Sequence, residues 1–506
     1  MLMKKILLFG AGKSATILID YLLESAEKEN WHITVVDADM HLAESKIGGS
    51  PYGLPLSFDI KNDAQRKKNI GQSDIVISLL PPALHYIVAQ DCVELKKDLL
   101  TASYADDQMK ALESRIENNN LLFLCEMGLD PGIDHMSAMK MIDEIHSKNG
   151  RVISFQSHCG GLVAPESDDN PWRYKISWNP RSVVLAGKSG AHYKENGEER
   201  RLQYQELFNP DRIIEIPDLG YMSWYPNRDS LGYASLYHLE EADTFIRTTL
   251  RYPDFMYGWR NVIELKMTDE TPEYETNGRA LYEIFKEHMD KNGFSDWLEE
   301  KLREQFDSTK NLLAELVNLV ELEKKAEEKG VESVEDFMIV DEEGDLKRID
   351  IDDLKVNAAA TLADRMHDAS LTLKQLFYLG LDDKGTVVSK GECSAASLLQ
   401  FALEKKLALQ GGDKDMVIMQ HEIEFEKENK KYKTTSTLIL TGEDDVHTAM
   451  AKTVGLPLAI AAKLILNGKI NLKGLHIPTS KEIYGLVLEE LKMNGIFFKE
   501  RTELLP

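Results

Sequence analysis

The first thirty residues constrain the fold most. Lys5–Phe9 is a short apolar run that reads as a buried strand. Gly10-Ala11-Gly12-Lys13-Ser14-Ala15 follows at once, and Ala15, Leu18 and Leu22, with Ile17 and Tyr21, then recur at helical spacing. Strand, GxGxxA and helix in that order is the context a dinucleotide-binding loop requires. Gly10 permits the tight turn, Gly12 lets the backbone approach a pyrophosphate, and Ala15 keeps the helix close to the strand. The helix N-terminus then faces the phosphates.

A second apolar run, His32–Val36, ends in Asp37, 25 residues after Gly12. An acid there accepts hydrogen bonds from ribose hydroxyls and repels a 2′-phosphate. Ala38 and Asp39 follow, with no arginine nearby, so NAD is expected, with NADP as the alternative. Leu56–Ile60, Asp74–Leu80, Asp98–Ser103 and Leu121–Cys125 read as further strands, and Ala105–Asn118 as a helix between the last two. Six strands alternating with helices imply an α/β fold with a doubly wound parallel sheet. Ligand contacts in such a sheet lie at the strand C-termini, here Gly10–Gly12, Asp37, Ser78–Leu80, Ser103-Tyr104 and Glu126–Asp130.

The patterning then changes. Asp134–Lys148 reads as a helix, and Arg151–His158, Tyr174–Trp178 and Arg247–Tyr252 as strands of a second, mixed sheet. Beyond about residue 267 the chain turns rich in Glu, Lys and Asp. The apolar stripe Leu312–Leu322 and the segments Ala358–Gly385 and Ser394–Leu409 predict an inserted all-helical domain. Asp415–Glu424 and Tyr432–Leu440 read as an antiparallel pair, and Val446–Asn467 is apolar nearly all round, hence buried. The expected division is a Rossmann domain over 1–133, joined by a returning helix at about 446–468. A substrate and dimerisation domain takes 134–266, about 410–445 and 469–506, and the helical insertion takes 267–409.

A net charge of −25 argues against a nucleic-acid surface and an anionic membrane. It does not exclude an anionic substrate, because local arginines decide that. Cys92, Cys125, Cys159 and Cys393 are far apart, with no CxxC. That suits a reducing, cytoplasmic setting and supplies no metal template. The most apolar window, Leu456–Leu466, contains Lys463 and is too short to span a bilayer.

At Glu126–Asn170 a specific likeness emerges. GLDPGIDH (128–135), Cys159-Gly-Gly, Ala164-Pro-Glu-Ser, Asp169-Asn-Pro, then Tyr225-Pro-Asn-Arg228-Asp and Thr249-Leu-Arg251-Tyr, resemble the glutamate-forming saccharopine dehydrogenases, or saccharopine reductases. The likeness continues through Asp415–Phe425 and Ala449–Leu466 and lapses over about 267–350. It implies that saccharopine, water and NAD(P) interconvert with glutamate, 2-aminoadipate 6-semialdehyde and reduced cofactor, in a homodimer. It implies cofactor contacts at Gly10, Gly12, Lys13, Asp59, Ile60, Leu79, Leu129, Asp130, Pro131 and Trp178, to which the loop motif adds Ala11, Ser14 and Asp37. Substrate contacts are implied at Ser103, Tyr104, Asp130, Arg228, Thr249, Leu250 and Arg251.

Such a substrate is a secondary amine with three carboxylates, so its site needs cationic groups and a base. Arginine offers bidentate carboxylate recognition, which singles out Arg228 and Arg251, with Arg173 and Lys175 as weaker candidates. Asp130, His135 and Tyr104 compete as the acid/base group. A helix N-terminus beside Asp130 would hold it as an anion and a weak base. Cys159 reads as a turn cysteine rather than a nucleophile. A related imine reductase, such as a carboxynorspermidine dehydrogenase, and a non-catalytic dinucleotide sensor stay open as alternatives.

Overall fold

The computed structural model describes residues 3–297 and 370–506, with a paired set of strands and isolated positions between them. The chain forms two compact units, Met1–Pro253 with Leu407–Pro506, and Asp254–Lys406.

The first unit holds both large sheets. Strands β1 (Lys4–Phe9), β2 (Trp31–Asp37), β3 (Gly53–Ser57), β4 (Ile75–Ser78), β5 (Asp98–Thr101) and β6 (Leu122–Leu124) run parallel in the order β6-β5-β4-β1-β2-β3. The order reverses between β1 and β4, which opens a crevice at their C-terminal ends. Apolar residues on β1, β2, β4, β5 and β6 are buried on both faces, as parallel sheets require, while the edge strand β3 is only partly covered. Two expectations need correction. The segment Gly474–His476 was assigned to the substrate domain, but it pairs in parallel with β6 and completes a seven-stranded nucleotide sheet. Three residues carry no legible alternation, yet they cover an edge that would otherwise be bare. The predicted helix 105–118 is two short helices, Asp107–Lys110 and Glu113–Asn118.

The second sheet has ten strands. Its central path runs Ile213–Ile216, Gly220–Pro226, Thr244–Arg251, β7 (Arg151–Val163), Asp415–Lys427, Lys430–Thr441 and Lys499–Leu504. It is mixed because Thr244–Arg251 lies parallel to β7 while Asp415–Lys427 lies antiparallel to it. β7 extends five residues past the expected end at His158, so Cys159 sits within a strand and not in a turn. Gly160 explains the continuity: a Cβ there would lie 2.7 Å from Leu250 Cβ and 2.7 Å from Leu250 O. Tyr174–Trp178 is not a strand. Only Ile176 bridges, to Ala408, while Asn170 Nδ2 donates to Tyr174 O at 3.1 Å and Lys175 is clamped by Asp169 and Asp413.

The helix Ile133–Ser147 leaves the nucleotide sheet and leads into β7. The helix Ala449–Leu466 returns to pack on the helix Thr16–Glu29. Its 18 residues are long and apolar enough to cross a membrane by length and composition, but 78% of that window is buried inside the fold. Gly455 and Pro457 lie within this helix rather than breaking it.

In the second unit, helices such as Leu281–Lys291 and Ala395–Lys406 are accompanied by three two-stranded ladders that the helical reading did not foresee. These pair Pro272–Glu275 with Glu392–Ser394, Arg279–Ala280 with Val387–Val388, and Asp336–Val340 with Leu346–Asp350. The stripe Leu312–Leu322 lies outside the described residues.

Candidate active site

The glycine loop is built as the motif requires. Gly10 has φ +99°, and a Cβ on it would sit 2.7 Å from Leu79 O. At Gly12 an added Cβ meets nothing within 4 Å, so the loop opens onto free space beside its backbone. Lys13–Ala15 forms a single turn before the helix Thr16–Glu29, leaving first-turn N–H groups facing the crevice. Asp37 Oδ2 accepts from Ala11 N at 2.8 Å, and its Oδ1 accepts from Asp39 N at 3.0 Å. Lys13 Nζ reaches Ile176 O at 3.3 Å, which brings the 176–178 segment to the loop. Ala11, Leu79, Leu129 and Trp178 belong to one apolar cluster. Asp59 and Ile60 lie in the turn after β3, on the adenosine side of the sheet, where Asp59 Oδ1 accepts from Lys61 N. These features fit a bound dinucleotide.

A second set of groups gathers where β5 and β6 end. Gly132, at φ +148°, makes the turn possible, because a Cβ there would fall 2.0 Å from Gly128 O. Around this turn Arg247 Nη2 lies 2.7 Å from Asp130 Oδ1 and 2.7 Å from Asp134 Oδ2. Asp134 Oδ1 accepts from Gly132 N at 2.6 Å. His135 Nε2 lies 2.8 Å from Glu126 Oε2, and its Nδ1 lies 2.5 Å from Tyr237 Oη. Glu126 also accepts from Tyr233 Oη at 3.2 Å and, through Oε1, from Ala105 N at 3.1 Å. Its carboxylate therefore ties the Ser103–Ala105 turn to the helix that starts at Ile133.

The carboxyls divide their roles differently from the sequence expectation. Burial and then the charge of Asp134 push Asp130 up from 3.8 to about 6, against the pull of Arg247, His135 and Arg228. Burial opposes ionisation of Asp134 too, but His135, Arg247 and the Gly132 N–H hold it below its usual range. The helix start thus stabilises Asp134 as the anion, and Asp130 is left as a carboxyl of near-neutral affinity. Asp130 keeps a 13% exposed side chain, so it reaches the cleft.

Tyr104 is half-buried, and burial followed by Asp130 drives its phenol upward, which keeps it a hydrogen-bond donor rather than a base. Arg228 is exposed and lies 5.1 Å from the Tyr104 ring centroid. It has no carboxylate partner within 4 Å among the described residues. Thr249 pairs across the sheet with Cys159 and Tyr225 at the same end. Ser103 Oγ lies 2.7 Å from His85 Nε2, and His85 Nδ1 lies 2.8 Å from Ser78 Oγ. Burial lowers His85 to about 4, so it bridges the ends of β4 and β5 as a neutral ring.

Five candidates are displaced. His135 is fully buried with both ring nitrogens engaged, so it braces Glu126 and does not face the cleft. The Leu250 side chain packs in an apolar core with Leu162 and Ile418. Arg251 is buried, with Nη1 donating to Leu250 O at 2.8 Å. Arg173 and Lys175 are held by Asp168 and by Asp169 with Asp413. Burial raises the Cys159 thiol well above its usual value, so it carries no thiolate. The residue that sequence reasoning missed is Arg247. It shares a strand face with Thr249 and Arg251, and period-2 alternation was the only signal that could have marked it.

A doubly wound nucleotide sheet opening onto a buried acid and an exposed arginine is the site of an oxidoreductase that uses a nicotinamide dinucleotide. Comparison with known proteins gives the family. Residues 6–124 match the family described as saccharopine dehydrogenase NADP binding domain, and residues 128–496 match the saccharopine dehydrogenase C-terminal domain. The chain belongs to the saccharopine dehydrogenase family. It is 33% identical over 503 residues to the Saccharomyces cerevisiae saccharopine dehydrogenase [NADP(+), L-glutamate-forming], covering 99% of each chain. The Schizosaccharomyces pombe protein of the same name is 32% identical over 98% of this chain and 99% of its own. An Arabidopsis thaliana alpha-aminoadipic semialdehyde synthase is 34% identical over 95% of this chain, which spans only 41% of that longer protein. The structure of apo saccharopine dehydrogenase (L-Glu forming) from S. cerevisiae superposes with a TM-score of 0.76 at 30% identity, over 99% of this chain and 100% of that one. The two yeast enzymes are named for NADP(+), which does not support the expectation of NAD; a nicotinamide dinucleotide is what stands.

Proposed function

We propose that this protein interconverts saccharopine, water and oxidised nicotinamide dinucleotide with L-glutamate, 2-aminoadipate 6-semialdehyde and the reduced dinucleotide. One observation carries the reading. A buried carboxyl raised to about 6 and an arginine with no carboxylate partner among the described residues both act on Tyr104, at the C-terminal end of a nucleotide sheet.

The dinucleotide supplies the hydride acceptor when bound. Gly10–Ser14 would hold its pyrophosphate, Asp37 the ribose, and Leu79, Leu129, Pro131 and Trp178 the nicotinamide end. Arg228 binds a substrate carboxylate, and Tyr104 beneath it donates a hydrogen bond. Asp130, as the carboxylate, takes the proton from the secondary amine. That proton passes to solvent, and after the hydride leaves the carbon beside nitrogen the re-ionised Asp130 deprotonates the water that adds to the iminium. The proton it then holds returns to nitrogen as the C–N bond breaks, releasing the amine of glutamate and the aldehyde. Positioning contributes much of the rate in such a site.

The finer cofactor choice favours NAD. Asp37 and Asp39 place two carboxylates where a 2′-phosphate would lie, and no lysine or arginine occurs between Asp37 and Lys46. A homodimer, on the family likeness, in the cytoplasm, on the widely spaced free cysteines, completes the reading. The test is saccharopine oxidation with NAD and NADP in parallel, followed by absorbance of the reduced nicotinamide. Turnover with saccharopine is expected, faster at low cofactor with NAD. Arg228→Ala should raise the KM for saccharopine about 10–100-fold, the loss of one charge-assisted pair, with cofactor affinity unchanged. No turnover with either dinucleotide contradicts the reading.

A further inference from the structure

We infer that Arg247 is a positioning residue that sets the distance between Asp130 and Arg228, and that it does so as a point charge rather than as a carboxylate fork. The inference rests on the role proposed for Asp130. A single nitrogen, Nη2, makes both carboxylate contacts, at 2.7 Å to Asp130 and 2.7 Å to Asp134. Nε is buried with no hydrogen-bond partner. The planar fork that ordinarily separates arginine from lysine is therefore not what these two acids read. The guanidinium lies 4.4 Å from the Tyr233 ring centroid, and Tyr233 stacks in turn on His135 at 5.2 Å. These rings fix the height of the cation above the helix start.

The backbone of the same residue holds the other partner. Arg247 O accepts from Asn227 N at 2.8 Å, and Arg247 N donates to Ser230 Oγ at 3.1 Å. Those two bonds bracket Arg228, which sits in the left-handed region at φ +51°. One position on the strand Thr244–Arg251 thus grips the acid through its side chain and the substrate-binding turn through its main chain. The groups facing Asp130 are Asp134 and His135 from the helix, Arg247 from the strand, Arg228 from the bracketed turn and Tyr104 from the end of β5. Among the described residues, Arg247 alone both pairs with Asp130 and hydrogen-bonds the segment that carries Arg228.

A side-chain change should then disturb the acid and spare the turn. The experiment compares Arg247→Met and Arg247→Lys with wild type in saccharopine oxidation across the pH range, alongside reduced-dinucleotide binding and thermal unfolding. Arg247→Met is expected to lower kcat about 30-fold or more, with the KM for saccharopine within about 3-fold. The acidic limb of kcat/KM should move up by about one pH unit, because a cation that favours the carboxylate is lost. Arg247→Lys should recover about a third or more of kcat and restore the limb. A folded Arg247→Met with an unmoved limb would reduce Arg247 to a structural ion pair and overturn the inference. A folded Arg247→Lys as slow as the methionine variant would overturn the point-charge claim, and this arm decides the matter if Arg247→Met does not fold. Wild-type protein that binds dinucleotide yet does not turn over saccharopine would fail the functional reading itself, a result distinct from either.

Discussion

At the scale of single residues, the site turns on which of two neighbouring acids stays protonated. Asp130 and Asp134 share one guanidinium nitrogen, and the helix start favours Asp134. Asp130 is pushed from 3.8 to about 6, by burial first and Asp134 second. Its folded affinity for a proton exceeds its unfolded one, so its stabilising effect is complete below about pH 4 and is lost as pH rises through about 6. Asp130→Asn should therefore gain about 1–3 kcal/mol relative to wild type between about pH 4 and pH 7, measured by urea unfolding at both. The same variant should lose about 100-fold or more in turnover. Equal stability differences at both pH values would mean that Asp130 is an ordinary anion. Asp130, Tyr104 and Arg228 were legible in the sequence as strand-end and turn residues of the right chemistry. Arg247 was not, since it and Arg251 are four apart on one strand face and nothing local says which meets a carboxylate. His135 misled for the converse reason: a first-turn imidazole looks accessible until a second sheet buries it.

At the scale of elements, the strands of the nucleotide sheet were readable because each is an apolar run with a turn signal. Gly474–His476 was unreadable because three residues have no period. The glycine loop offers a sharper case. Its helix was expected to be kept close by Ala15, and Ala15 is buried. The tightest contact, however, comes from far along the chain: a Cβ on Gly455 would lie 2.8 Å from Ser14 O and 3.1 Å from Leu18 N. The helix Ala449–Leu466 thus buttresses the turn that carries the phosphate-binding loop. Gly455→Val should push the two helices apart, lowering thermal stability and weakening dinucleotide affinity about 10-fold, in line with overpacking losses of ~1–3 kcal/mol. The KM for saccharopine at saturating cofactor should change little. Unaltered dinucleotide binding, by fluorescence titration, would separate this helix from the loop.

At the scale of the molecule, the first unit joins a nucleotide sheet to a ten-stranded sheet through the helix Ile133–Ser147, and the acid sits at that junction. Hydride transfer from a secondary amine can occur at the carbon on either side of nitrogen. Oxidation on one side, then hydrolysis, releases glutamate and 2-aminoadipate 6-semialdehyde; on the other it releases lysine and 2-oxoglutarate. Which carbon faces the hydride acceptor decides between them, and the function proposed for this chain requires the first. The most direct test is the stoichiometry of saccharopine oxidation by the wild-type protein, with glutamate and lysine quantified against reduced dinucleotide. The account predicts one glutamate per reduced dinucleotide and no lysine. Lysine in that ratio, or reduced dinucleotide without glutamate, would contradict it.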